Sequence, residues 1–105
     1  MTTIMELIED IRKRPGLMLG RPSVNNLYTF LSGFCFARKD AGVSDYEFLA
    51  GFGRHVHRRF KISSTQSWAA IIEFFGATED GEMALFWKLY DDYLAKSATK
   101  RKKVS

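Results

Sequence analysis

The chain has few of the residue types that disulfide bonds and metal sites require. Its 105 residues include one cysteine and two histidines, so an internal disulfide is excluded and a metal site has few ligands to draw on. No apolar run approaches the roughly 18 residues that a membrane span needs, and residues 1–4 do not begin a signal peptide. We therefore expect a cytoplasmic protein. Because Cys35 lies in the apolar run 33–37, we expect it to be buried rather than nucleophilic.

What the chain does have is apolar residues at helical spacing along its whole length, with no stretch of strand alternation. Hydrophobic residues form 46% of the sequence, which is enough for one well-filled core. The pattern predicts an all-α fold, a compact single-domain bundle of five to six helices over residues 1–95. Residues 96–105 are basic and nearly without apolar side chains, so we expect a disordered tail.

Capping and stop signals mark the first two helices. Thr3 and Glu6 form a capping box at the start of the first helix, and Pro15 ends it. Residues 16–22 are then predicted to be a turn. Ser23 is a suitable N-cap for the second helix, because its hydroxyl can accept a hydrogen bond from a free backbone N–H.

Glycines are expected to shape the middle of the chain. Gly33 lies inside the second helix, where we expect it to let another helix approach closely, and Gly42 ends that helix. A second capping box, beginning at Ser44, opens the third helix. That helix is either continuous or divided at Gly51 and Gly53, since glycine weakens a helix interior.

The last two helices have the broadest apolar faces. The fourth follows the polar loop 63–65 and ends at Gly76, and the fifth begins near Asp80. The apolar residues of the fifth helix are Met83, Phe86, Trp87, Tyr90, Tyr93 and Leu94. A face this broad exceeds what a small bundle can cover, so we expect some aromatic edges to be exposed.

No group of residues has the spacing of a reaction centre. A helical separation of two residues points His55 and His57 about 200° apart, so they cannot share a metal ion. The serines in 63–67 occupy loop and cap positions, where hydroxyls serve helix ends. Asp91 and Asp92 diverge because adjacent helical residues do not face each other. We expect no enzyme, no cofactor and no metal.

Acidic residues are segregated between positions 73 and 92, where Lys88 is the single base. Helix-end electrostatics accounts for the early acids but not for Asp91 and Asp92, which lie late in the fifth helix. This segregation predicts a surface for a basic partner, with Trp87, Tyr90 and Tyr93 as aromatic anchors or as core residues. The predicted partner-binding residues are Glu79, Asp80, Glu82, Trp87, Tyr90, Asp91 and Asp92.

Basic residues are concentrated in two other segments. The tail carries five of the positive charges, and without them the body of the chain is close to neutral. A second basic strip, Arg54 to Lys61, lies on the third helix. Basic segments of this kind are usual on solvated surfaces. Together they also leave open the alternative that the protein is a small nucleic-acid-binding regulator, in which these residues contact phosphates.

Five segments follow one another over residues 4–95: IEDIRKRPGLMLG, NLYTFLSGF, the Gly51-Phe52 step, Ser67-Trp68 with Ile71-Ile72, and FWKLYDDYL. In this order they resemble small bacterial immunity proteins of polymorphic toxin and contact-dependent growth-inhibition systems. The resemblance implies a cytoplasmic protein that binds and neutralises one cognate toxin, often a nuclease such as an RNase, by stoichiometric occlusion. The resemblance assigns no functional role to any particular residue of this chain. An oligomerisation module that uses the surplus apolar face of the fifth helix is a further alternative.

Overall fold

The computed structural model describes the backbone of residues 3–39 and 45–104, and the side chains of residues 3–39 and 45–97. These residues form six α-helices and no strand, so the predicted all-α single-domain fold is confirmed. The helices are α1 (Ile4–Lys13), α2 (Pro15–Leu19), α3 (Val24–Arg38), α4 (Asp45–Phe60), α5 (Trp68–Gly76) and α6 (Glu79–Val104).

Side-chain caps start four of the helices. The Thr3 hydroxyl accepts a hydrogen bond from the Glu6 N–H, and the Glu6 carboxylate accepts one from the Thr3 N–H, which completes the predicted capping box. Ser23, Ser67 and Thr78 each accept a hydrogen bond from the backbone N–H three residues later, at 3.0–3.2 Å. The Thr3 and Ser23 caps were expected, and Ser67 is one of the serines in 63–67 that were expected at loop and cap positions. The cap at Thr78 was not predicted from the sequence.

The structure corrects one local expectation and decides between the two alternatives for another. The predicted turn at 16–22 contains the short helix α2, because Pro15 ends α1 and also supplies a suitable first residue for a new helix. Helix α4 is continuous through Gly51 and Gly53, so the two glycines do not divide it. Helix α3 ends at Arg38. The expected helix stop at Gly42 and capping box at Ser44 lie outside the described residues.

The close helix approach attributed to Gly33 occurs elsewhere. A Cβ atom at Gly33 would have no neighbour within 4 Å, because this part of α3 faces solvent. At the junction of α5 and α6, a Cβ at Gly76 would lie 2.6 Å from the Cα of Glu82, and one at Gly81 would overlap the Gly76 carbonyl oxygen. The junction therefore requires glycine at both positions.

The core lies where α5 packs against α3, α4 and α6, with one face of α1 also buried. Each of the five longer helices contributes apolar residues spaced three or four apart, as helical periodicity requires. The largest fully buried side chains are Tyr90, Phe52, Phe86, Ile8, Ile11, Leu27, Leu31, Ile71, Ile72, Leu89, Val24 and Val56. Cys35 is buried as expected, and its burial raises the pKa of the thiol.

Helix α6 is the longest element, with 26 residues. Its backbone is helical through residues 96–104, which belong to the segment 96–105 that was predicted from the sequence to be a disordered tail. Among the described residues, none of the helices combines the length and the apolar character needed to cross a membrane.

Candidate functional site

The acids at the start of α6 do not form a free acidic surface. Arg21 donates two hydrogen bonds to the carboxylate of Glu79, at 2.6 and 2.9 Å, and so neutralises it. Glu82 is buried beside the α5–α6 junction. Asp80 is exposed and forms no ion pair with a described residue. Of the three early acids in the predicted partner-binding set, only Asp80 is both exposed and unpaired.

The acids late in α6 are separated from the early ones. Asp91 lies twelve residues after Glu79, about 18 Å along a helix. It accepts a 2.6 Å hydrogen bond from Arg12, and this bond raises the pKa of the guanidinium. The same guanidinium lies 4.5 Å from the ring centre of Trp87. Asp92 is exposed. The acids of α6 thus form two separate groups, each with one acid paired to an arginine.

The predicted aromatic anchors have different environments. Tyr90 is 1% exposed, so a partner cannot contact it, and the core alternative applies to this residue. Its hydroxyl has no hydrogen-bond partner among the described residues, and burial raises its pKa to about 12. Tyr93 is partly buried and donates a 3.1 Å hydrogen bond to the Phe48 carbonyl. Trp87 is half-buried beneath Arg12, which leaves only part of its ring accessible.

The histidines have separate structural roles. His55 is buried, its Nε2 has no hydrogen-bond partner in the described part of the chain, and burial lowers its pKa. His57 lies 3.0 Å from the Ile62 carbonyl through Nδ1 and 2.8 Å from the Gln66 carbonyl through Nε2. A cationic ring can donate to both carbonyls, whereas a neutral ring can donate to one. Over the described residues, no three potential ligands cluster around a metal position.

An exposed group of aromatic side chains lies at the ends of α4 and α5. We call Phe60, Phe74, Phe75 and the neighbouring Glu73 the aromatic patch. Phe74 is 78% exposed and Phe75 is 47% exposed. The rings of Phe75 and Phe60 stack with their centres 4.3 Å apart. Sequence reasoning missed this patch, although two adjacent phenylalanines on a helix cannot both face one core.

Beside the aromatic patch is a cavity of about 370 Å³ between α5 and the loop that precedes it. Ile62 and Ile71 provide apolar lining, and Phe74 and Phe75 form part of its wall. Glu73 is the one charged residue among its described lining residues. Apolar surface of this kind, with an acid at its edge, is typical of a protein-binding surface.

A larger groove lies between α3, α4 and the start of α5, with a volume of about 680 Å³. Tyr28 of α3, Tyr46 of α4 and Trp68 of α5 give it aromatic walls. Arg54 and Arg58, one turn apart on α4, also line it. The structure therefore joins half of the predicted basic strip to aromatic residues that are distant in sequence.

These two surfaces have to be interpreted from the chain's own residues. No model of a known protein family matches the chain, and neither does any curated protein sequence or any solved structure. The aromatic patch with its adjoining cavity is therefore a candidate protein-binding surface on its geometry, and the arginine-lined groove is a candidate ligand site.

Proposed function

We propose that this protein is a stoichiometric inhibitor that binds and neutralises a cognate toxin domain of the bacterial immunity type, with the aromatic patch as its contact surface. The observation that carries the proposal is the exposure of Phe74 and Phe75 next to an apolar cavity. A side chain such as Phe74, which is 78% exposed in the isolated chain, loses water contact only when a partner covers it.

The ring contacts within the patch favour a role in binding. Phe75 is held between Phe60, with stacked rings 4.3 Å apart, and Phe74, with ring centres 5.1 Å apart. Aromatic rings fixed before binding lose little conformational entropy when a partner arrives. They can therefore act as anchors that slow dissociation.

Charge favours a basic partner. Glu73 lines the apolar cavity without an opposing base among the described lining residues, and Asp80 is exposed and unpaired at the start of the next helix. A nuclease must present cations to the phosphates of its substrate. Carboxylates around an aromatic anchor would attract such a surface and raise the association rate.

The test asks whether the gene directly upstream encodes a toxin domain and uses that domain, purified separately; the absence of such a domain would contradict the proposal. We expect a 1:1 complex and inhibition of the toxin's activity in proportion to added protein. Phe74→Ala should raise the Kd by about 30-fold, the change that defines a binding hot spot of about 2 kcal/mol. Its folding stability should hardly change, because the side chain is exposed.

Phe36→Ala is the matched control. Phe36 is 65% exposed on α3, outside the aromatic patch, so its truncation removes similar apolar surface from another face. The Kd of this variant should stay within about twofold of the parent. The proposal fails if the toxin domain is neither bound nor inhibited, or if both variants weaken binding equally. A concentration-dependent doubling of mass, abolished by Phe74→Ala, would instead assign the patch to self-association.

A further inference from the structure

The groove between α3, α4 and the start of α5 has the size of a small-molecule site. Its volume of about 680 Å³ falls within the range of about 300–1,000 Å³ that is usual for ligand pockets. Three helices contribute its aromatic side chains, Tyr28, Tyr46 and Trp68. The rings of Tyr28 and Trp68 are packed edge to face, with centres 5.3 Å apart, so this wall is already formed without a ligand.

The charge of the groove selects an anion. Arg54 and Arg58 are exposed, and neither forms an ion pair with a described residue. The exposed arginine Arg21 and the partly buried Arg12 differ from them in this respect, since each is held by a carboxylate at 2.6 Å. No acid is found among the described residues that line the groove. Two guanidinium groups one helical turn apart are suited to phosphate oxygens, which arginine binds bidentately.

A polar group completes the recognition chemistry. Gln66 lines the groove, and its side-chain amide makes no hydrogen bond within the described part of the chain. The backbone carbonyl of Gln66 is held by His57, which fixes the loop beside the groove. An amide offers both a donor and an acceptor, as the edge of a nucleobase does.

We propose that this groove binds one nucleoside monophosphate, with its phosphate at Arg54 and Arg58 and its base against the aromatic wall. A nucleotide combines an anion, a planar ring and a polar ring edge, and the groove holds a complementary group for each. The groove and the cavity beside the aromatic patch share Gln66, whereas Arg54 and Arg58 line the groove and not that cavity. Variants at Arg54 and Arg58 therefore test nucleotide binding without altering the aromatic patch, so the two proposals can fail separately.

The test is calorimetric titration of the full chain with AMP, GMP, CMP and UMP. We expect at least one of them to bind with a Kd below about 1 mM. Two reference compounds separate the contributions of the phosphate and the base to the affinity, because the parent nucleoside lacks the phosphate and ribose 5-phosphate lacks the base. Each should bind at least about tenfold more weakly than the nucleotide.

Charge-removing variants locate the site. Arg54→Gln and Arg58→Gln should each raise the Kd at least about tenfold, the usual size of a lost charge-assisted contact. Arg59→Gln is the matched control, because Arg59 is exposed on the same helix but does not line the groove. Its Kd should remain within about twofold of the parent.

Four results would overturn the assignment. The first is the absence of nucleotide binding, and the second is an equal affinity for the nucleoside and the nucleotide. The third is a loss of affinity in Arg59→Gln as large as in Arg54→Gln. A single-stranded oligonucleotide that binds roughly 100-fold more tightly than any mononucleotide would also overturn it, in favour of an extended nucleic-acid interface.

Discussion

The two tyrosines of α6, Tyr90 buried and Tyr93 partly buried, should respond in opposite ways to the loss of a hydroxyl group. Tyr90 is 1% exposed, and its hydroxyl has no hydrogen-bond partner among the described residues. An unsatisfied buried polar group costs about 1–3 kcal/mol. Tyr90→Phe removes that cost and keeps the ring, so we expect the free energy of unfolding to rise by up to about 1 kcal/mol, the remainder being offset by lost packing.

Tyr93→Phe is the matched comparison. The Tyr93 hydroxyl donates a 3.1 Å hydrogen bond to the Phe48 carbonyl, so its removal should lower the free energy of unfolding by about 0.5–1.5 kcal/mol. Urea denaturation at neutral pH, with equal m-values in all proteins, measures both changes. Truncating the whole ring in Tyr90→Ala should cost about 3–5 kcal/mol. A loss of 1 kcal/mol or more in Tyr90→Phe would refute the reasoning, because it would mean that the hydroxyl is paired.

Alkaline pH provides an independent check on the environment of Tyr90. Burial raises its pKa to about 12 in the folded chain, whereas a tyrosine in the unfolded chain ionises near 10. The unfolded state therefore releases this proton first. The contribution of the Tyr90 hydroxyl to the free energy of unfolding is fully present below pH 10 and is lost as the pH rises towards 12. In Tyr90→Phe, the loss of unfolding free energy over this range should be smaller, and equal losses in the two proteins would contradict the assignment.

Three further predictions concern other parts of the fold. In urea denaturation, Gly33→Ala should raise the free energy of unfolding by about 0.5–1 kcal/mol, whereas Gly81→Ala should lower it by about 1–3 kcal/mol. Equal effects of the two substitutions would contradict the close contact between α5 and α6. Burial lowers the pKa of His55, so the unfolded chain takes up this proton first as the pH falls. The free energy of unfolding should therefore decrease from about pH 7 to pH 5, and the decrease should be smaller in His55→Leu. Equal decreases in the two proteins would show that the His55 ring is accessible to water. Asp91→Asn should lower the free energy of unfolding, measured by thermal denaturation, by no more than about 1 kcal/mol, because its ion pair with Arg12 is partly exposed. A larger decrease would contradict this expectation and show that the ion pair is essential to the fold.

The fold class and several helix ends follow from local features of the sequence. Helical spacing depends on residues three and four apart, and a cap such as Thr3 or Ser23 acts on an N–H group three residues away. These interactions are local, so they can be seen without knowledge of the tertiary structure. The burial of Cys35 could be predicted for a similar reason, because its neighbours are apolar.

The candidate sites could be predicted only in fragments. The acidic residues of α6 were identified, but Asp91 is paired with Arg12, which lies 79 residues away in the chain. The basic strip was identified as well, yet the groove exists only because α3 and α5 bring Tyr28 and Trp68 beside Arg54. Spacing along one helix does not show which residue of another helix will lie opposite it.

Helix packing, and not the sequence pattern, sets which of two similar residues faces inward. Trp87 and Tyr90 share the broad apolar face of α6, and the sequence left both of them as anchors or core residues. Packing buries Tyr90 completely and leaves Trp87 half-buried beneath Arg12. Likewise, Gly33 and Gly81 are both helical glycines, but only Gly81 meets a neighbouring backbone. Helical periodicity depends on neighbours within one or two turns, whereas burial depends on how whole helices are placed against each other.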